Sequence, residues 1–198
     1  MNIIRILLPL SILLITLISC REELPLDKDL KKKSYSLTNQ DSIEVIFPEI
    51  VLGHIALIGF IYTHCPDICP MTTHNMYLTE KRLKEQDIDD VKFVGITFDP
   101  DRDTPEVLTK FAEIRDISFK NWMLLTGKKE IIEDLLRRFD VKAIKTDQTV
   151  DEKGNPEYSM MHTDRISLVD ENGILKKNYK GSTLNLEEII EDIKTLKD

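Results

Sequence analysis

The nearly continuous apolar run HIALIGFIYT at 54–63 leads directly into a cysteine pair, in HCPDICP. The run is short and rich in β-branched and aromatic residues. It reads as a central strand buried on both faces. A second run of the same kind, VKFVGITFD at 91–99, follows about one helix length later. Between them a helix is predicted from near Cys69 or Pro70 to about Gln86. Met76 and Leu83, with Tyr77 and Leu78, supply its apolar stripe, and Glu80 and Lys84 form an i,i+4 pair.

After the second strand, Thr104 is placed to cap a helix that has Pro105 at its first position. Val107, Leu108, Phe111 and Ile114 form its buried face. WMLLTG reads as a third strand. Residues 128–139 repeat apolar side chains at helical spacing, at Ile131, Ile132, Leu135, Leu136 and Phe139. SYSLTNQDSIEVIF predicts a hairpin turning at TNQD. Residues 141–181 read as strands broken by turns at Lys153–Pro156 and Glu171–Gly173. A last helix uses Leu186, Ile189, Ile190, Ile193 and Leu196. The order hairpin, βαβαβα, hairpin, helix predicts an α/β protein with a mostly parallel sheet and helices on both faces. The hairpin at Glu171–Gly173 should add an antiparallel edge. A central strand that runs into a cysteine pair at a helix start is the layout of thioredoxin-like folds.

The first twenty residues, MNIIRILLPLSILLITLISC, stand apart. A short segment carrying Arg5 precedes an apolar run from Ile6 to Ile18, then a small residue and Cys20. This is secretory-signal architecture, and the run is short for a membrane-spanning helix. Leu17–Cys20 resembles a bacterial lipobox, which implies cleavage before Cys20 and lipid on that cysteine. The expected organisation is a signal peptide at 1–19, a charged tether at 20–34 and a domain at 35–198. That places the domain outside the cytoplasm against a bacterial cell membrane or outer membrane. The net charge of −8 argues against a nucleic-acid surface, which needs a basic face. Lys31–Lys33 read as part of a solvated linker.

If Cys20 carries lipid, Cys65 and Cys69 are the domain's only thiols. Closing so short a loop removes little unfolded-state entropy, so the pair reads as functional rather than as a staple. A helix N-terminus stabilises thiolate. Thiolate attacks disulfides and also binds soft metals, so both readings stand at this point. The three-residue spacing leaves room for an ion but still permits a disulfide. Of the histidines, His54 begins the central strand and His64 should point away from Cys65. His74 should face solvent on the helix. His162 lies just before an apolar strand whose entering loop should face the cysteines. Two thiolates and one imidazole form a soft donor set suited to copper, Cu(I) or Cu(II). Asp67 is an acceptor that could orient His162 from behind the ligands, or simply shape the turn. Met71, Met160 and Met161 are soft thioethers near the motif, with core packing as their ordinary role.

Cys65-Pro66-Asp67-Ile68-Cys69-Pro70 resembles the cysteine motif of the Sco (SenC-type) copper proteins. Thr63-His64 before it, FDPDRDTPEVLTKFA, and HTDRISLVD are similar to the family's other landmarks, in the same order. The resemblance spans roughly residues 35–197. It implies a thioredoxin-like fold, membrane tethering, and one copper ion held by Cys65, Cys69 and His162. It also implies a part in building the dinuclear copper centre of cytochrome c oxidase, as copper donor or as thiol reductant of that centre. The expected partners are the oxidase subunit that carries this centre, other copper carriers, and the membrane through Cys20; the chain is expected to be a monomer. The alternative is an extracytoplasmic thiol–disulfide oxidoreductase acting through a reversible Cys65–Cys69 disulfide.

Overall fold

The two apolar runs lie side by side as parallel strands in the computed structural model, which describes residues 24–65, 68–150 and 156–197. Among these residues the chain forms β1 (Lys28–Asp29), β2 (Tyr35–Asn39), β3 (Glu44–Phe47), β4 (Ala56–Ile61), α1 (Ile68–Lys84) and β5 (Lys92–Thr97). It continues through α2 (Pro105–Glu113), β6 (Trp122–Thr126), α3 (Lys129–Arg138), β7 (Ala143–Val150), β8 (Pro156–His162), β9 (Ile166–Val169), β10 (Ile174–Tyr179) and α4 (Leu186–Lys197). Eight strands form one sheet in the order β1-β10-β9-β4-β5-β6-β2-β3, and β7 and β8 pair separately. Parallel β4–β5–β6 beside antiparallel β9–β10, with helices packed on the sheet, is a thioredoxin-like fold.

Each residue of β4 is buried, as its unbroken apolar pattern requires. Gly59 lets α1 approach this strand closely, since a Cβ there would lie 2.5 Å from Met76 Sδ. Phe60 and Phe47 both pack on Phe139, with ring centroids 5.1 and 5.9 Å away. This joins the central strand, the N-terminal hairpin and the end of α3. Thr104 caps α2 by accepting from the Val107 N–H, and Pro105 follows in the first turn.

Three expectations change. The sheet is mixed rather than mostly parallel: among its described strands only β4–β5 and β5–β6 pair parallel, because the N-terminal hairpin and the β9–β10 hairpin both join it antiparallel. The hairpin at Glu171–Gly173 adds antiparallel strands beside β4 as expected, but the two residues of β1 take the outermost place by covering the start of β10. Order also begins before Tyr35. Residues 24–33, read from sequence as tether, lie along the domain: Leu30 is buried, Leu24 and Leu26 pack on the core, and Lys33 pairs with Asp134 at 2.7 Å. The alternation of Leu24 and Leu26 among charged residues is too brief to stand out as a strand signal. The turn expected at Lys153–Pro156 lies largely outside the described residues.

Candidate metal centre

β4 ends at Ile61, and α1 begins at Ile68, so Cys69 sits in the first helical turn. Cys69 is fully buried and Cys65 is 8% exposed. The first N–H groups of a helix lack intrahelical acceptors. Here the Cys69 N–H donates to Cys65 Sγ at 3.4 Å, and the Tyr62 N–H donates to Cys69 Sγ at 3.4 Å. Both sulfurs are therefore held by backbone.

His162 is the last residue of β8. Its Nε2 lies 3.8 Å from Cys69 Sγ, and its Nδ1 lies 3.2 Å from the Thr163 carbonyl. A carbonyl only accepts, so Nδ1 carries a proton and the Nε2 position faces the sulfurs. The imidazole packs against Phe98 and Tyr62, at 4.6 and 5.9 Å between centroids. Ligand atoms of Cys65, Cys69 and His162 all lie within 4.8 Å of one another. Sulfur and imidazole sit about 2.0–2.3 Å from a small first-row ion, so donors sharing one ion stand about 3.5–4.5 Å apart. The triad fits such an ion with little adjustment.

The electrostatics are asymmetric. The Cys69 thiol is pushed well up, first by its hydrogen bond with Cys65 and then by burial. The helix start therefore does not by itself ease ionisation of Cys69. For His162, burial opposes the imidazolium, but hydrogen bonds to Cys65 and to the Thr163 carbonyl outweigh it and raise the pKa.

His64 is exposed and hydrogen-bonds Thr63 through Nδ1, and His74 is exposed on α1 beside Tyr77. Neither they nor half-buried His54 join the triad. Met160 packs on the core, whereas Met71 and Met161 are exposed. Asp67 and Cys20 lie outside the described residues. Sequence reasoning missed the acids behind the site. Asp103 is fully buried and accepts from the Thr63 N–H and from the hydroxyls of Thr63 and Thr97. Asp99 accepts from the Tyr158 hydroxyl. The available signal was the run DPDRD directly after a buried strand, a poor place for acids unless they are partnered.

A thioredoxin-like fold with two cysteines at the start of its first helix and a distant histidine against them defines a soft-metal or thiol-exchange protein. The SCO1/SenC family model matches residues 25–198. The chain belongs to the SCO1/SenC family. It is 34% identical over 164 residues to the SCO1 protein homolog of Bacillus subtilis, covering 81% of this chain and 80% of that protein. The structure of a SCO1/SenC family lipoprotein from Bacillus anthracis superposes with a TM-score of 0.73 at 32% identity, covering 87% of this chain and 97% of that one. Bradyrhizobium japonicum ScoI with copper bound gives 0.69 at 29% identity, over 83% and 98%. BsSco, described as a Sco-family cytochrome c oxidase assembly protein with a disulfide switch, gives 0.70 at 30% identity, over 88% and 98%.

Proposed function

We propose that this chain binds one copper ion through Cys65 Sγ, Cys69 Sγ and His162 Nε2 and serves cytochrome c oxidase assembly. Within that process it delivers copper to the dinuclear copper centre or matures it. The observation that carries the reading is the convergence of three soft donors within 4.8 Å. Copper is the cargo. The chain's own residues hold the sulfurs by backbone N–H groups, orient the imidazole through Thr163, and shield it with Phe98 and Tyr62. The copper-bound structure of B. japonicum ScoI supports the choice of metal. The client is the oxidase subunit that carries the copper centre, and other copper carriers supply the ion.

The signal-like segment 1–19 is removed and Cys20 carries lipid. The domain then works as a monomer on the outer side of a bacterial membrane. The lipoprotein nature of the B. anthracis relative supports this.

A second reading is favoured by Cys65 and Cys69, which stand as thiols four positions apart rather than as a disulfide. Cys65 and Cys69 can reduce a client disulfide: their sulfurs join, and the electron pair and two protons pass to the client's two thiols. The disulfide switch described for BsSco supports it. The discriminating experiment titrates the reduced domain with Cu(I) against a competing chelator and then mixes the loaded form with an apo oxidase copper domain. One tightly held equivalent that moves to the client supports delivery. Client thiol reduction without copper transfer supports the second reading, and no copper binding sinks the first.

A further inference from the structure

Among the described residues β7 and β8 share no backbone ladder with the main sheet, yet β8 carries His162. The register of β9 on β4 brings His162 to the cysteine end of the sheet, and side chains from another element brace β8 there. They come from the loop between β5 and α2, which is bounded by two buried acids, Asp99 and Asp103. Asp103 holds the cysteine limb: it accepts from the Thr63 N–H at 3.1 Å and the Thr63 hydroxyl at 2.5 Å, two residues before Cys65. Asp99 holds the histidine limb: it accepts from the Tyr158 hydroxyl at 2.6 Å, four residues before His162. Arg102 joins them. It donates to Asp99 at 2.5 Å and to the Tyr158 carbonyl at 3.2 Å, and its guanidinium lies 3.6 Å from the centre of the Tyr158 ring. Lys145, on β7, is 4.0 Å from the same ring and pairs with Asp101 at 2.8 Å.

One five-residue loop thus grips both limbs of the site. We propose that Asp99, Arg102 and Tyr158 are positioning residues whose contacts set the distance between His162 and the cysteine pair, so that the Asp99–Asp103 loop acts as the gauge of the metal centre. The proposal rests on the copper reading above. The buried Asp99 carboxylate is answered by the partly buried Arg102 guanidinium, one of whose terminal nitrogens has no hydrogen-bond partner among the described residues; an ion pair of this kind is a costly way to hold a hairpin. Their contacts reach the hairpin at Tyr158, on the same strand as His162 and four residues, about 13 Å of extended chain, before it, so a displacement of the strand carries to the imidazole.

The test compares the parent, Tyr158→Phe and His162→Ala. Tyr158→Phe keeps the ring under Arg102 and removes only the hydroxyl. Cu(I) affinity should fall about 10–100-fold, as for other groups that orient a ligand. The thiolate-to-Cu(II) absorption band should shift and the His162 ring proton resonances should move in the metal-free protein. If Tyr158→Phe does not fold, as judged by circular dichroism, Asp99→Asn takes its place with the same readouts. Parent-like affinity, band and ring resonances in the folded variant would overturn the gauge. If the parent itself binds no copper, the copper reading fails, and the ring resonances alone decide the gauge.

Discussion

His162 Nε2 stands 3.8 Å from Cys69 Sγ across 93 residues of sequence. Sheet register produces this meeting. β9 runs antiparallel to β4 with Ile166 opposite Gly59, so the segment entering β9 arrives at the end where β4 delivers the cysteines. The contact is a product of topology, and it separates the functional readings.

His162→Ala should weaken copper binding by more than about a hundredfold, since even groups behind a ligand contribute about 10–100-fold. Both thiols should still react with a thiol reagent in the reduced variant. Competition against a chelator of known affinity measures the first, and mass spectrometry after alkylation the second. Affinity equal to the parent would remove the imidazole from the site.

Glu80 ties α1 to β6. It is 5% exposed and accepts from Trp122 Nε1 at 2.8 Å, Asn121 Nδ2 at 3.3 Å and Lys84 Nζ at 2.7 Å. Glu80→Ala strands two buried donors, each worth about 1–3 kcal/mol. Urea unfolding should show a loss of about 2–4 kcal/mol, and a loss below half a kcal/mol would mean that water replaces the carboxylate freely.

Gly59→Ala should destabilise the domain by about 1–3 kcal/mol through overpacking, because the added methyl meets Met76 Sδ. Met76→Ala should cost less stability in the Gly59→Ala background than in the parent, since it removes the clash. A Gly59→Ala protein with the parent's unfolding midpoint would show that Met76 moves aside without strain.

Asp134 reports whether the N-terminal segment lies on the domain. Hydrogen bonds from Lys33, then Arg137 and Tyr35, hold its carboxyl at about 2 against an ordinary 3.8. The folded value is depressed, so this contribution to stability is complete above the ordinary value and is lost as pH falls from 3.8 towards about 2. An NMR titration should place Asp134 near 2 and move it upward in Lys33→Ala. An unmoved value would detach the segment from α3.

Cys20→Ser should abolish labelling by a fatty-acid precursor and move the protein from the membrane fraction to the soluble one. Continued membrane association with no lipid label would favour an uncleaved apolar anchor instead.

The strands were legible where burial on both faces produces unbroken apolar runs, as in β4 and β5, and α2 was legible through Thr104 and Pro105. α1 was harder to read because Thr72, Thr73, Thr79 and Glu80 occupy its buried face. Each threonine satisfies its hydroxyl on a carbonyl four residues back, at Ile68, Cys69 and Asn75, so a polar residue sits in the core without an apolar signature. Cys65, Cys69 and His162 could be read together because topology brings their segments to one end of the sheet. The bond between Tyr158 and Asp99 could not, because it joins residues 59 apart and nothing in either local pattern names its partner.

β1 also gives the domain a direction. β10 starts away from the thiols at Ile174 and ends near them at Tyr179, opposite Ile166, and β1 runs the other way, with Lys28 opposite Leu175 and Asp29 opposite Ile174. Followed backward from Asp29, the polypeptide therefore heads toward the cysteine end of the sheet. From Leu24 to Cys20 the chain spans at most about 14 Å, so a lipid at Cys20 would keep the thiols facing the bilayer surface.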